Sequence, residues 1–169
     1  GIITVNLLGK SVKRIDARGK VTGETAYPGD LNLEGQLWMK LRYSERAHAR
    51  VLTIDTTKAS ALAGVVAIYT AKDVPVNEYG LVIKDQPVLC GPGSAQAGAD
   101  IVRCYMDYVA VVVAETEAIA AQAVVLIDVT YEDLPAVFDM ESAMQEDAPQ
   151  LHAQYPNNIL CHYPIRKGD

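Results

Sequence analysis

The sequence predicts an α+β fold: a mixed sheet assembled from two strand–helix–strand units, with an extended N-terminal arm ahead of it. Three observations carry this. Val109-Ala110-Val111-Val112-Val113-Ala114 is apolar at every position, the pattern of a strand covered on both faces. A helical stretch from Thr116 to Leu126 follows it directly, and the same layout occurs upstream around residues 51–69. Lys10 to Asp30, in contrast, is basic and broken by Gly19, Gly23 and the turn dipeptide Pro28-Gly29.

The elements follow in order. Residues 1–35 form the arm. Gln36 to Arg42 reads as a strand, with Leu37, Met39 and Leu41 alternating with larger polar or amphipathic neighbours. Val51-Leu52-Thr53-Ile54 is the first strand of the upstream unit. A helix starts near Thr56, where any of Asp55, Thr56 and Thr57 can cap it, and Gly64 stops it. Val65 to Tyr69 is the return strand.

Tyr79 to Gly98 holds Gly80, Pro87, Gly91, Pro92, Gly93 and Gly98, and so reads as one long loop. Loops of that length in a domain are usually functional or ordered by a partner. In the downstream unit Thr116 is the helix cap and Glu117 suits the first turn. The helix is apolar almost all round, with Gln122 the main exception, which predicts a sandwiched helix. Ile127 to Tyr131 is the next strand, ended by Leu134-Pro135. Met140 to Met144 is a short helix, and His152 to Asp169 an extended exit segment. The organisation expected is one domain over residues 1–169, with the arm at 1–35, the core at 36–145 and the exit at 146–169.

Composition narrows the classes. Half of the 169 residues are apolar, which excludes a disordered chain. One Trp and one Phe leave an aliphatic core, with nine Tyr for edges and surfaces. No apolar run approaches the ~18 residues that cross a bilayer, so no membrane role is expected. Gly1-Ile2-Ile3 lacks the layout of a signal peptide, and a cytoplasmic location is expected. Net charge is −6, divided unevenly: residues 1–50 carry nine Lys/Arg against five Asp/Glu, and residues 51–169 carry six against sixteen. A basic arm resting on an acidic body accounts for this. A nucleic-acid arm is disfavoured, because Lys10, Lys13, Arg14, Arg18 and Lys20 have no aromatic partners to stack bases.

Candidate chemistry is sparse. Cys90, Cys104 and Cys161 form no Cys-x-x-Cys pair and cannot supply four thiolates to a cluster. His48, His152 and His162 show no zinc spacing, and His48 reads as a hydrogen-bonded structural residue. Gly91 to Gly98 lacks the Lys-Ser/Thr of a phosphate loop, and Pro92 removes a donor. Ser11, Ser44, Ser60, Ser94 and Ser142 have no nucleophile-elbow context. Glu132-Asp133 reads as solvated charge at a strand end. No catalytic, cofactor-binding or metal residue is assigned.

Five ordered blocks nevertheless carry a resemblance. They are Lys10 to Asp30; Arg42-Tyr43-Ser44 leading to His48-Ala49-Arg50-Val51; Ile54 to Ala61 with Gly64-Val65-Val66 and Thr70 to Pro75; Val109 to Glu115 with Ala118 to Ala123 and Val129 to Pro135; and Asn157-Asn158-Ile159 with Lys167-Gly168-Asp169. In this order they resemble the N-terminal part of the molybdenum-binding subunit of the xanthine dehydrogenase and aldehyde oxidase family. Departures occur at Cys104-Tyr105-Met106-Asp107, where the family usually reads Tyr-Val-Gly-Glu, and at Glu45-Arg46, where it often has Pro-His.

The resemblance implies an alpha/beta hammerhead domain that is structural and inactive alone. It implies a parent oxidoreductase using molybdopterin, with iron–sulfur clusters on companion domains or subunits that pass electrons to FAD or another acceptor. The expected partners are the downstream molybdenum-binding domains and those iron–sulfur and flavin subunits. Bare apolar surface on the isolated domain would promote self-association, through Ile2, Ile3, Val5, Leu7 and Leu8 or through Ile159 and Leu160. The alternative is a free-standing, non-catalytic interaction module of the same fold.

Overall fold

The computed structural model describes residues 7–168. Ile2, Ile3, Val5 and Asp169 lie outside the described residues. The chain divides into two units, Gly1–Gln36 and Leu37–Asp169.

In the first unit the segment expected to be extended holds two helical turns. Helix α1 spans Ala17–Thr22 and ends at Gly23, whose φ of 77° is the left-handed conformation that glycine adopts without a Cβ penalty. Asp16 ahead of it pairs with Arg14 at 2.9 Å and Lys20 at 2.7 Å, so the basic run is partly neutralised locally. A 3-10 turn at Pro28–Asp30 follows, held by Tyr27 N donating to Asp30 Oδ2 at 2.8 Å.

The second unit carries the sheets. Its strands are β1 (Trp38–Tyr43), β2 (Ala49–Asp55), β3 (Val65–Thr70), β4 (Ile101–Val102), β5 (Tyr108–Ala114) and β6 (Asp128–Asp133). Helix α2 (Thr57–Ser60) joins β2 to β3, α3 (Glu117–Val125) joins β5 to β6, and α4 (Met140–Ala143) follows. The α+β class and both strand–helix–strand units are present. The mixed sheet resolves into two antiparallel ones, ordered β1-β5-β3 and β4-β2-β6.

Neither unit pairs its own strands. β2 and β6 share one sheet, β3 and β5 the other, so each helix carries the chain between sheets. Length explains the first case: a parallel return needs a crossover of about a dozen residues or more. Residues 56–64 are too few.

β5 is the central strand and feeds both cores. Val109 packs with Ala49, Val51, Cys90 and Val102, while Ala110 and Val112 pack with Ala59, Ala123 and Ile127. The core is aliphatic. Thr116 caps α3 as expected, its side chain accepting from Ile119 N at 3.2 Å. The helix is not sandwiched, however. Ala120 and Ala123 are buried, whereas Ala118, Ala121, Gln122 and Val125 face outward. Alanine is the reason: it serves helix propensity on an open face as readily as close packing on a covered one.

Met106 takes the glycine's place without positive φ, in a turn closed by Asp107 N donating to Cys104 O at 3.2 Å. On β1 Met39 and Tyr43 are exposed, while Trp38, Lys40, Leu41 and Arg42 are half-buried.

Candidate functional site

His48 lies at the entrance to β2. Its Nδ1 is 2.6 Å from Pro135 O, and its carbonyl accepts from Leu134 N at 2.9 Å. It ties β2 to the exit of β6, the structural role its sequence context implies. Cys90 sits in the core behind β2, where burial pushes its thiol up to about 12. Cys104 is exposed on the 103–107 turn, with Sγ 3.4 Å from Asp107 Oδ1; partial desolvation of the sulfur, with the Asp107 charge adding to it, raises its pKa. Cys161 and His162 lie exposed on the exit segment. Among the described residues, no three His, Cys, Asp or Glu side chains gather to hold a metal ion.

The charged residues form short ladders across strand ends. Arg46 Nε meets Asp133 Oδ1 at 3.2 Å, and Arg50 pairs with Asp100 and, at 3.6 Å, with Glu132. Glu132 and Asp133 are therefore paired as well as exposed. Arg42 meets Glu45 at 2.6 Å and holds that carboxyl below the usual carboxylate range. The Arg46 guanidinium stacks 5.0 Å from the Tyr131 ring centroid. These pairs position strands, and none places a base beside a nucleophile.

Ser44 is fully buried and serves as a bracket. Its amide donates to Asp107 O at 2.9 Å, and its Oγ lies 3.1 Å from Cys104 O. Asp107 in turn accepts from Arg103 N at 2.6 Å and Cys104 N at 3.2 Å. Together they fix the 103–107 turn against the end of β1.

The long loop is built around Asn77, whose side chain holds Leu89 and reaches Ser94 Oγ at 3.1 Å. Ser94 Oγ also accepts from Gln96 N at 3.2 Å, so the glycine-rich stretch is spent on internal bonds. Its amides are not arranged around an anion site. The sequence did not single out Asn77; an Asn between Val76 and Glu78 gives no periodic or motif signal.

The exit segment has its own anchors. Arg103 Nε donates to Leu151 O at 2.8 Å. Asn158 Nδ2 donates to Ala143 O at 2.8 Å and Pro149 O at 3.0 Å, while its Oδ1 accepts from Leu151 N at 2.8 Å. Asn157 and Asn158 both have positive φ, 54° and 56°, which Asn tolerates better than most residues.

The larger hollows in this unit are shallow and open; one of about 370 Å³ is lined by Leu81, Val82, Ile83, Leu160, Cys161 and Tyr163. Asp85 and Gln86 are its polar walls, and a mainly apolar hollow with no ligand cluster among the described residues does not fit a molybdenum–pterin group. No helix among the described residues is long and apolar enough to cross a membrane.

Comparison with known proteins agrees with this architecture. Residues 22–135 match the family model described as the aldehyde oxidase and xanthine dehydrogenase a/b hammerhead domain. The chain is 43% identical over 157 residues to a probable xanthine dehydrogenase subunit from Bacillus subtilis, a match covering 92% of this chain and 20% of that one. It is 35% identical to the nicotinate dehydrogenase large molybdopterin subunit of Eubacterium barkeri, covering 96% and 36% respectively. Among solved structures, a Cu,Mo-CO dehydrogenase in its carbon monoxide reduced state superposes with a TM-score of 0.73 at 34% identity, covering 94% of this chain and 20% of that one.

Proposed function

The chain belongs to the hammerhead family of aldehyde oxidase and xanthine dehydrogenase, and from that premise we propose that it is the structural N-terminal domain of a molybdenum hydroxylase large subunit. The observation that carries this is one of proportion. The match runs nearly the length of this chain yet spans only 20% of the Bacillus subtilis relative. The organisation proposed is an arm at 1–35, a core at 36–145 and an exit at 146–169 leading into later domains.

In this reading the whole enzyme hydroxylates an aldehyde or heteroaromatic carbon with oxygen from water. Molybdopterin is held by the later domains, and electrons leave through iron–sulfur centres and FAD on companion domains or subunits. This chain contributes packing surface and orientation. A cytoplasmic location goes with it. The anchoring of the exit segment by Arg103 and Asn158 supports the reading, since a domain that orients its successor must fix its own outlet.

The test is the natural coding sequence and its product. We expect the reading frame to continue well beyond Asp169, and the purified product to contain molybdenum and reduce an acceptor dye with an aldehyde or N-heteroaromatic substrate. A stop codon after Asp169, or a long product without molybdenum, would overturn the proposal. The 169-residue chain alone is expected to self-associate, with Leu7, Leu8, Ile159 and Leu160 all exposed. Light scattering showing a monomer at high concentration would remove that part.

A further inference from the structure

Three hollows in the second unit share one residue, Leu160. The first, of about 190 Å³, runs from Asp85 to Leu151 and Tyr155. The next lies under the loop tip Leu81-Val82-Ile83, and the third, about 340 Å³, lies against Met140 and Met144 of α4. They are therefore neighbouring parts of one largely apolar surface made by the loop tip, α4 and the exit segment, into which Asp85, Gln86, His152 and Asn158 also project.

The loop tip is shaped for display. Tyr79 and Gln86 exchange backbone hydrogen bonds at 2.8 and 3.2 Å, closing residues 80–85 into a finger. Gly80 permits the fold-back, because a Cβ there would run into the Ile83 carbonyl. At its end Leu81 and Val82 are fully exposed, with relative areas of 106% and 92%. A loop that spends two large aliphatics on solvent gains nothing within its own domain.

Charge supplies the chemistry of the occupant. Between Arg103 and Arg166 the sequence has no Lys or Arg but ten Asp and Glu. Four of those acids, Asp139, Glu141, Glu146 and Asp147, lie on or beside α4, whose Met140 and Met144 line this surface, while the finger carries Lys84, paired with Glu78 at 3.6 Å. The chain itself runs across the same face through Ile159, Leu160 and Cys161 as it leaves the domain.

We propose that this surface is the seat of the later part of the same large subunit, whose docking face is apolar at the centre and carries Lys and Arg at its edge. This rests on the proposed function, under which most of the polypeptide follows the 169 residues described. The direction of the exit segment and the acids beside α4 favour that occupant within the whole subunit; a second copy, which would set those acids against each other, competes for the face only when the domain is alone.

Cys161 is a native reporter, because it is exposed in the domain alone and lies at the centre of the surface. The experiment is alkylation of the purified full-length subunit, read at Cys161 by peptide mass spectrometry. A synthetic peptide spanning residues 156–166 gives the intrinsic rate. Cys161 in the subunit is expected to react about tenfold more slowly or less. Replacing Leu81→Glu and Leu160→Glu together is expected to restore the rate. Reaction at the peptide's rate in the subunit overturns the assignment, as does protection that survives the double replacement. Protection that grows with subunit concentration assigns the face to a second copy and also overturns it. A full-length molybdenum subunit with an open Cys161 sinks only this inference; failure to find such a subunit sinks the proposed function instead.

Discussion

Asn77 holds both backbone groups of Leu89. Its Nδ2 donates to the Leu89 carbonyl at 2.8 Å, and its Oδ1 accepts from the Leu89 amide at 2.9 Å. The residues are twelve apart, both buried, and the pairing imitates a strand neighbour where the sheet provides none. Asn77→Ala leaves a buried donor and a buried acceptor unpaired, each worth about 1–3 kcal/mol. We expect a large fall in the urea midpoint. Asn77→Asp keeps only the acceptor and should recover part of the loss at most; full stability of either variant would show that water replaces the side chain.

Gly64 is the hinge between α2 and β3. Its φ of +89° costs a residue with a Cβ ~1–2 kcal/mol. The added methyl would also sit 2.6 Å from Ile119 Cδ1, the movable end of a side chain. Gly64→Ala is therefore expected to destabilise by the backbone cost plus a smaller steric one. Placing it in an Ile119→Val background removes Cδ1 and should recover the steric part alone, which denaturation of the four variants measures as a cycle.

His152 stacks edge-on with Tyr155, ring centroids 5.9 Å apart. Burial and the Arg103 guanidinium hold its pKa below the usual histidine value, with Asp85 and Asp107 pulling weakly the other way. In the unfolded chain it titrates near ~6.5. Between the folded pKa and that value the unfolded chain binds more protons, so stability rises with pH through the window. Its contribution is complete above the unfolded pKa and is lost as pH falls towards the folded one. His152→Gln should flatten this part of a melting-temperature profile on the acid side of about pH 6.5. An unchanged slope would assign the acid sensitivity to other groups.

Cys90 is buried among Ala49, Val51, Val102 and Val109, with its thiol pushed up to about 12. At neutral pH almost no thiolate forms and no reagent reaches it. Its alkylation should therefore track unfolding, appearing in urea over the same range as the loss of the circular dichroism signal. Rapid labelling in native buffer would show that the region behind β2 opens locally.

Much of the fold was legible in one dimension. The run Val109–Ala114 marked the central strand, Thr116 and Glu117 marked the start of α3, and Leu134-Pro135 marked the end of β6. Each is a local signal with a local cause. The sheet assignments were only half legible: residues 56–64 are too few to return β3 parallel beside β2, yet no spacing names the distant β6 as the partner of β2. The open outer face of α3 was misread for a related reason: an alanine pattern is equally apolar whether covered or bare. The Asn77 clamp and the Asn158 anchor were silent, since one amide side chain bonding a distant backbone leaves no periodicity. His48 was readable only in kind; its partner, the Pro135 carbonyl, was not.

The exchange of strands between sheets has a consequence for any attempt to divide the molecule. A cut in the long loop would leave β1, β2 and β3 on one piece and β4, β5 and β6 on the other. Each sheet draws on both pieces, so neither fragment retains a complete sheet, and β1 and β3 would lose the central strand between them. The two polypeptides, produced separately, should be unstructured apart and should reconstitute on mixing, a ready-made split reporter whose signal depends on threading six strands from two sources.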